Sequence, residues 1–243
     1  QIGVAMGKKG SDIAKSAASL VLLNDDLGDM ANAIGMGRRI YDNLRKAIRY
    51  IISIHLPILL AVLLPLAFGW QNPHMLLPLH VIFLELIMDP IAAIAFENEP
   101  AEPNLMEKPP RAANSSLFSG KELAFSLAQG AMIGAGVLLV QFLATGRGLP
   151  ENTVRAAVFC TLVIANLFLV LANRSMEFPI FQTLFYKNKT IPVILSISIA
   201  MLAAVLYVPF VANLFRVSPL SGSQMLWCAL IGFGSGPVPL RWK

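Results

Sequence analysis

Between Met75 and Phe96 the chain carries an apolar run of the length that crosses a bilayer, about 20 residues. Two acids, Glu85 and Asp89, interrupt it, and Pro90 stands directly behind the second. A carboxylate in hydrocarbon costs roughly 2.5–3.5 kcal/mol on insertion scales, so two in one span require a compensating partner. Spaced four residues apart, they share one face of a helix. Pro90 removes a backbone donor and disfavours helical geometry at Asp89. A helix broken at that point frees carbonyl oxygens beside the acids, and discontinuous helices build cation sites in this way. The run is therefore read as part of a cation path. The plainer alternative, a soluble helix with Glu85 near a polar surface and Asp89 as a cap, conflicts with the rest of the chain.

Only 14% of the 243 residues are charged and 56% are hydrophobic, with mean hydropathy +0.66. A soluble domain carries about 25% charged residues. The net charge of +5 does not mark a nucleic-acid binder, because the basic residues gather at the edges of apolar runs, the pattern of membrane topology. Cys160 and Cys228 lie in apolar stretches with no metal or redox spacing and are read as buried apolar residues. Residues 1–36 are mixed and polar, with no signal peptide, and the first residue, Gln rather than Met, suggests a fragment.

In chain order, Ile2 to Met6 reads as a buried strand ended by Gly7. Ser11 reads as the N-cap of a helix from Asp12 to Ser19, and Leu20 to Leu23 as a second strand. This β-α-β unit needs a larger sheet around it, so residues 1–27 are expected to be the edge of an α/β domain lying upstream. Asp25 or Asp26 opens a long helix. Its 28–49 stretch is a basic stalk, with Arg38, Arg39, Arg45, Lys46 and Arg49, expected to run unbroken into the first span. Residues 50–243 are then a membrane domain of six spans, about 50–70, 75–96, 123–145, 154–172, 191–215 and 219–240. Glycines and prolines from Gly232 to Pro239 blur the last. His55 and Pro57 lie in the first span; Pro57 is expected to break the helix and set His55, a possible proton acceptor, near the acids. Gly130 and Gly134 make a small-xxx-small spacing for close helix packing, and Asn166 reads as an interhelical hydrogen bond rather than a ligand. With the N-terminal side in the cytosol, sixteen Lys or Arg fall on the cytosolic side and three (Arg147, Arg155, Arg216) outside, which fixes orientation by the positive-inside rule.

Residues 1–111 resemble a known pattern. Ile2-Gly3-Val4-Ala5-Met6-Gly7, Gly10 to Lys15 and Val21 to Asp26 look like the end of the HAD-like phosphorylation domain of P-type cation-transporting ATPases. Gly37 to Asn43 with Ile48-Arg49-Tyr50 resembles their stalk before the fifth membrane helix, and Leu105 to Arg111 the loop after the sixth. Residues 112–243 match in pattern only. The resemblance implies a mainly α, polytopic fold carrying helices five to ten of such a pump. It also implies upstream actuator, nucleotide-binding and phosphorylation domains that bind Mg-ATP and form an aspartyl-phosphate. This segment, lacking them, would not hydrolyse ATP; the whole protein would. The expected setting is a bilayer, read from the short loops as a prokaryotic plasma membrane.

The resemblance also frames the cation. In calcium pumps the fifth helix carries Asn and, three residues on, Glu; the matching positions here are His55 and Ile58. Their sixth helix carries Asn, then Thr-Asp; here stand Glu85, Met88 and Asp89, and the fourth span lacks the Glu of a two-site pump. Calcium takes six to eight oxygens, so two full calcium sites are not expected. The metal-site residues are Glu85, Asp89 and His55, serving one calcium or manganese ion. Two alternatives remain open: a proton pump using the same three groups, and a secondary cation transporter or channel. A non-catalytic scaffold is the remaining class, and soft metals are disfavoured by the absence of a Cys pair in these two spans.

Overall fold

The computed structural model describes residues 2–70, 73–111, 117–175, 178, 180–183 and 187–236. The chain divides into two compact units, Gln1–Asp42 with Ala101–Ala113, and Asn43–Pro100 with Asn114–Lys243.

In the first unit, β1 (Val4–Met6) and β2 (Leu20–Leu22) pair in parallel through the helix α1 (Asp12–Ala17), with Val4 opposite Leu20 and Met6 opposite Leu22. Ser11 caps α1 as its sequence position suggests, accepting from the Ala14 amide at 3.2 Å. The two strands pair directly with each other. Asp25 sits at φ 59° and receives the Lys8 and Lys9 amides at 2.8 and 3.0 Å; chiefly the Lys8 bond holds its carboxyl below the usual carboxylate range. The loop resembling that after the sixth pump helix is tied to the basic helix here: Arg38 donates to the Leu105 and Lys108 carbonyls at 2.9 and 2.7 Å, and Arg111 lies over the Tyr41 ring.

That basic helix, α2 (Leu27–Ala67), is one continuous element of 41 residues. The unbroken run into the first span is as expected, but the break at Pro57 is not: both Pro57 and Pro65 lie inside the helix. A proline deletes one i→i−4 bond and leaves the Ser53 carbonyl short of a donor. The helix survives because neighbouring turns and a facing helix hold it.

The second unit is a helical assembly. The second span is α3 (Pro78–Phe83), a π-helical turn (Leu84–Met88) and α4 (Asp89–Glu97). Here too the expected break is a local deformation: the Asp89 amide reaches back five residues to the Leu84 carbonyl. Since Pro90 has no N–H, the Glu85 carbonyl receives no bond from residue 89 or 90. After α5 (Gly120–Gly146) and α6 (Glu151–Ala172) come the short α7 (Ile180–Thr183), then α8 (Thr190–Tyr207), α9 (Pro209–Phe215) and α10 (Gly222–Gly234). The fifth expected span is thus interrupted. Val208 is extended at φ −85°, ψ 113° because the residue before a proline avoids helical geometry. Among the described residues five helices are long and apolar enough to cross a membrane. The sixth expected span is represented by α10, 13 residues long; Pro237, Pro239 and the stretch to residue 240 lie outside the described residues, as do Arg241 and Lys243.

The most enclosed element is α6, with 83% of its apolar window buried against 33–50% in the other four. Outward faces of the spans expose large apolar side chains such as Leu59, Phe142 and Leu230, the inverse of a water-soluble surface. Gly130 and Gly134 let α5 and α2 meet as the small-residue spacing suggests. A Cβ at Gly130 would stand 2.6 Å from the Ser53 carbonyl oxygen, and one at Gly134 2.7 Å from the Leu60 side chain. Cys160 and Cys228 are buried free thiols.

Candidate cation site

The continuous α2 and the π turn together bring the three sequence-selected residues to one place. One ligand atom each from His55, Glu85 and Asp89 lies within 4.8 Å of the others. His55 Nε2 is 3.1 Å from Glu85 Oε2. Its other ring nitrogen, Nδ1, is 2.7 Å from the Ile51 carbonyl oxygen one turn earlier. A carbonyl only accepts, so Nδ1 carries a proton, and Nε2 faces Glu85 either with a second proton or with a bare lone pair. Two lone pairs cannot attract each other across 3.1 Å. Something positive belongs between them, either a proton or a cation, and the anchored Nδ1–H is the arrangement that metal-binding imidazoles adopt. The side chains of His55 and Glu85 remain 43% and 35% exposed, so the cluster is open on one side.

The π turn has its own effect. A sixth residue per hydrogen-bonded ring rotates the helix beyond it, and π-helical turns concentrate at functional sites. Here the turn holds Glu85 and ends at Asp89, and it strips the Glu85 carbonyl of its helical donors. Pro90 is visible in the sequence as a signal of irregularity, but this geometry is not. Ile58 and Met88, the positions where oxygen donors are missing relative to calcium pumps, are buried and apolar.

Behind Asp89 the site continues into groups that sequence reasoning passed over. Tyr50, at the start of the first span, lies 3.1 Å from Asp89 Oδ1 and 2.5 Å from Asn166 Oδ1 through its hydroxyl. Asn166 therefore forms the interhelical bond read from its sequence. In the sequence Tyr50 marks only the start of the first span, and the fold shows its partners. Below them Asn43 donates to the Glu97 and Glu99 carbonyls at 3.3 and 2.9 Å, and Arg174 pairs with Glu99 at 2.5 Å with both side chains almost wholly enclosed. These two charges stand in separate segments, after α4 and after α6, and nothing local in the sequence marks them as a pair.

A polytopic helical bundle in which two carboxylates and an imidazole converge at a deformed helix is a membrane protein with a candidate cation site. Comparison with known proteins sharpens the class. Residues 73–243 match the family model described as cation transporting ATPase, C-terminus. A calcium-transporting ATPase of Lactococcus lactis is 34% identical over 231 residues, 95% of this chain and 26% of that protein. One of Bacillus subtilis is 31% identical over 98% of this chain and 26% of its own length, and the mouse calcium-transporting ATPase type 2C member 2 is 27% identical over 93% and 24%. The chain belongs to the cation-transporting ATPases, whose C-terminal region it carries, and it spans about a quarter of the length of these curated relatives.

Proposed function

We propose that the full-length protein is an ATP-driven P-type pump for calcium or a similar divalent cation, and that this region supplies its stalk and much of its cation site. The observation that carries the reading is the convergence of His55, Glu85 and Asp89 within 4.8 Å at the π turn. The names of the relatives, calcium-transporting ATPases, support a divalent cargo. The donor set supports one ion rather than two: two carboxylates and one imidazole fall short of the six to eight oxygens that each calcium takes, and imidazole also suits manganese. The open side of the cluster is where further ligands from an upstream helix would complete it.

In this reading residues 1–27 close the phosphorylation domain, residues 28–49 are the stalk and residues 50–243 the membrane domain. The upstream domains bind Mg-ATP and form the aspartyl-phosphate. The stalk and first span, being one helix, carry the resulting motion to His55, and the site alternates between the two sides of the membrane. The N-terminal side is cytosolic, and the host membrane is a prokaryotic plasma membrane.

The test is phosphorylation of the full-length protein by ATP in lipid, with calcium or manganese titrated across a pH series. Metal stimulation is expected, with Asp89→Asn abolishing it and Glu85→Gln weakening apparent affinity by about tenfold, the scale of one charged interaction. Undiminished stimulation in Asp89→Asn removes Asp89 from the site. Turnover that ignores both metals but follows pH would replace the divalent cargo with protons.

A further inference from the structure

A hydroxyl has one proton to give. Tyr50 Oη stands within hydrogen-bond reach of two oxygens, Asp89 Oδ1 at 3.1 Å and Asn166 Oδ1 at 2.5 Å, and it can donate to only one. The conflict resolves in two ways: Asp89 carries a proton of its own, or the Asn166 amide is turned about so that its nitrogen faces Tyr50. A carboxylate that binds a cation is ionised, so in the loaded site only the second remains. Amide nitrogen and oxygen have nearly the same shape, and their assignment follows from the network.

A second observation points the same way. Asn166 is 1% exposed, and its Nδ2 has no hydrogen-bond partner among the described residues. A buried N–H without an acceptor is rarer than an under-satisfied carbonyl. Turning the amide exchanges the first for the second and settles the proton count at Tyr50.

We propose that Asn166 and Tyr50 form a directed relay that positions Asp89: Asn166 Nδ2–H donates to Tyr50 Oη, and Tyr50 O–H donates to Asp89 Oδ1, leaving the other carboxylate oxygen to the cation. The proposal rests on Asp89 being a cation ligand. Tyr50 and Asn166 are positioning residues and touch no cation themselves. The relay draws one residue from each of α2, α4 and α6, and its fixed end lies on the most enclosed helix. Tyr50 is itself 1% exposed with its ring 5.5 Å from that of Phe96, so the phenol has little freedom to choose another partner. The carboxylate on the deformed helix is thereby referenced to a helix that does not deform.

The experiment compares Tyr50→Phe, Asn166→Leu, their double variant and Asp89→Asn in the full-length protein in lipid. The readouts are the calcium or manganese concentration for half-maximal phosphorylation, the maximal phosphorylation level and the thermal midpoint. Each single relay variant is expected to raise the half-maximal concentration about tenfold with the maximal level kept. The double variant should be no worse than Tyr50→Phe alone, because links in series are lost together. Asn166→Ala replaces Asn166→Leu if the latter fails to insert. Additive shifts overturn the relay, since Asn166 then acts on its own. Unchanged affinity with a lowered maximal level or midpoint overturns it too, as the signature of packing alone. Stimulation surviving in Asp89→Asn defeats the cation-site reading and the relay with it, whereas loss there beside an unaffected Tyr50→Phe defeats the relay only.

Discussion

Two groups of helices within the second unit obey different rules. The group formed by α2 from Asn43, α3, the π turn and α4 holds four prolines in its helical turns (Pro57, Pro65, Pro78, Pro90), a run of five-residue hydrogen bonding and the three converging polar side chains. The group formed by α5, α6 and α10 is regular. α5 and α10 each begin with a capping box, Ser119 with Glu122 and Ser221 with Gln224. Its contacts are small or apolar, such as Phe168 against Phe233 at 4.5 Å and Cys160 against Met225 at 3.4 Å. In hydrocarbon every backbone group needs an internal partner, so irregularity is tolerated only where something rigid leans on it. The regular group allows the other to be irregular, and the irregular group supplies the oxygens and the lone pair.

The largest break in that division is expected where the two groups are bolted together. Glu99 follows α4 and Arg174 follows α6, and they pair with relative exposures of 0% and 2%. Removing one member of a buried pair leaves the other charge stranded and costs about 3–5 kcal/mol. Glu99→Leu is therefore expected to lower the thermal midpoint of the lipid-embedded protein far more than Lys189→Leu, a change at an exposed cation, when both are followed by thermal unfolding. Equal midpoints for the two variants would mean that the pair is no bolt.

What the sequence made legible divides along the same line. Hydropathy located the apolar runs because a bilayer-length stretch is a local property, and the Gly130–Gly134 spacing signalled a close helix contact without naming the partner. The β-α-β unit and the Ser11 cap were also local. The positions of Glu85, Asp89 and His55 stood out because charge inside an apolar run is conspicuous. Illegible were the features that depend on a partner distant in sequence. Pro57 looks like a helix breaker until α5 is seen against it; Glu99 and Arg174 look like loop charges until they meet across 75 residues. Tyr50 sits where membrane proteins place interfacial aromatics, so its role toward Asp89 left no mark. The interruption at Val208 was within reach, since Pro209 follows it, but a continuous apolar run overrode that signal.

A smaller effect is expected at the face where the regular group receives the irregular one. Pro57 frees the Ser53 carbonyl, and the room for that oxygen beside α5 is the missing side chain of Gly130: a Cβ there would lie 2.6 Å away, and 2.9 Å from the Leu56 Cβ. Backbone cannot yield as a flexible side chain does, so Gly130→Ala pushes the helices apart and should cost about 1–3 kcal/mol, the usual range for overpacking. Gly37→Ala, with nothing within 4 Å of the added methyl, is the comparison and should be neutral or slightly stabilising by helix propensity. If both behave alike in thermal unfolding, the close approach is not under compression and Pro57 has been accommodated by other means.

The smallest expected change in stability comes with a sharper change in function. Pro90→Ala restores an N–H at residue 90 that can serve the Leu86 carbonyl, which lets the Asp89 amide move from the Leu84 to the Glu85 carbonyl. The helix can then return to four-residue bonding across Leu84–Met88. Stability should rise by about 1 kcal/mol or stay level, because a hydrogen bond is gained and proline's clash with the preceding turn is lost. The same change turns Glu85 and Asp89 relative to His55, since unwinding a π turn rotates every residue on one side of it. Cation affinity should therefore fall about tenfold or more in a protein that unfolds no more easily. Stability and affinity moving in opposite directions would identify the deformation as the feature that forms the site; a variant that keeps its affinity would show that the carboxylates converge without it, and that the irregular group could have been built as regularly as its neighbour.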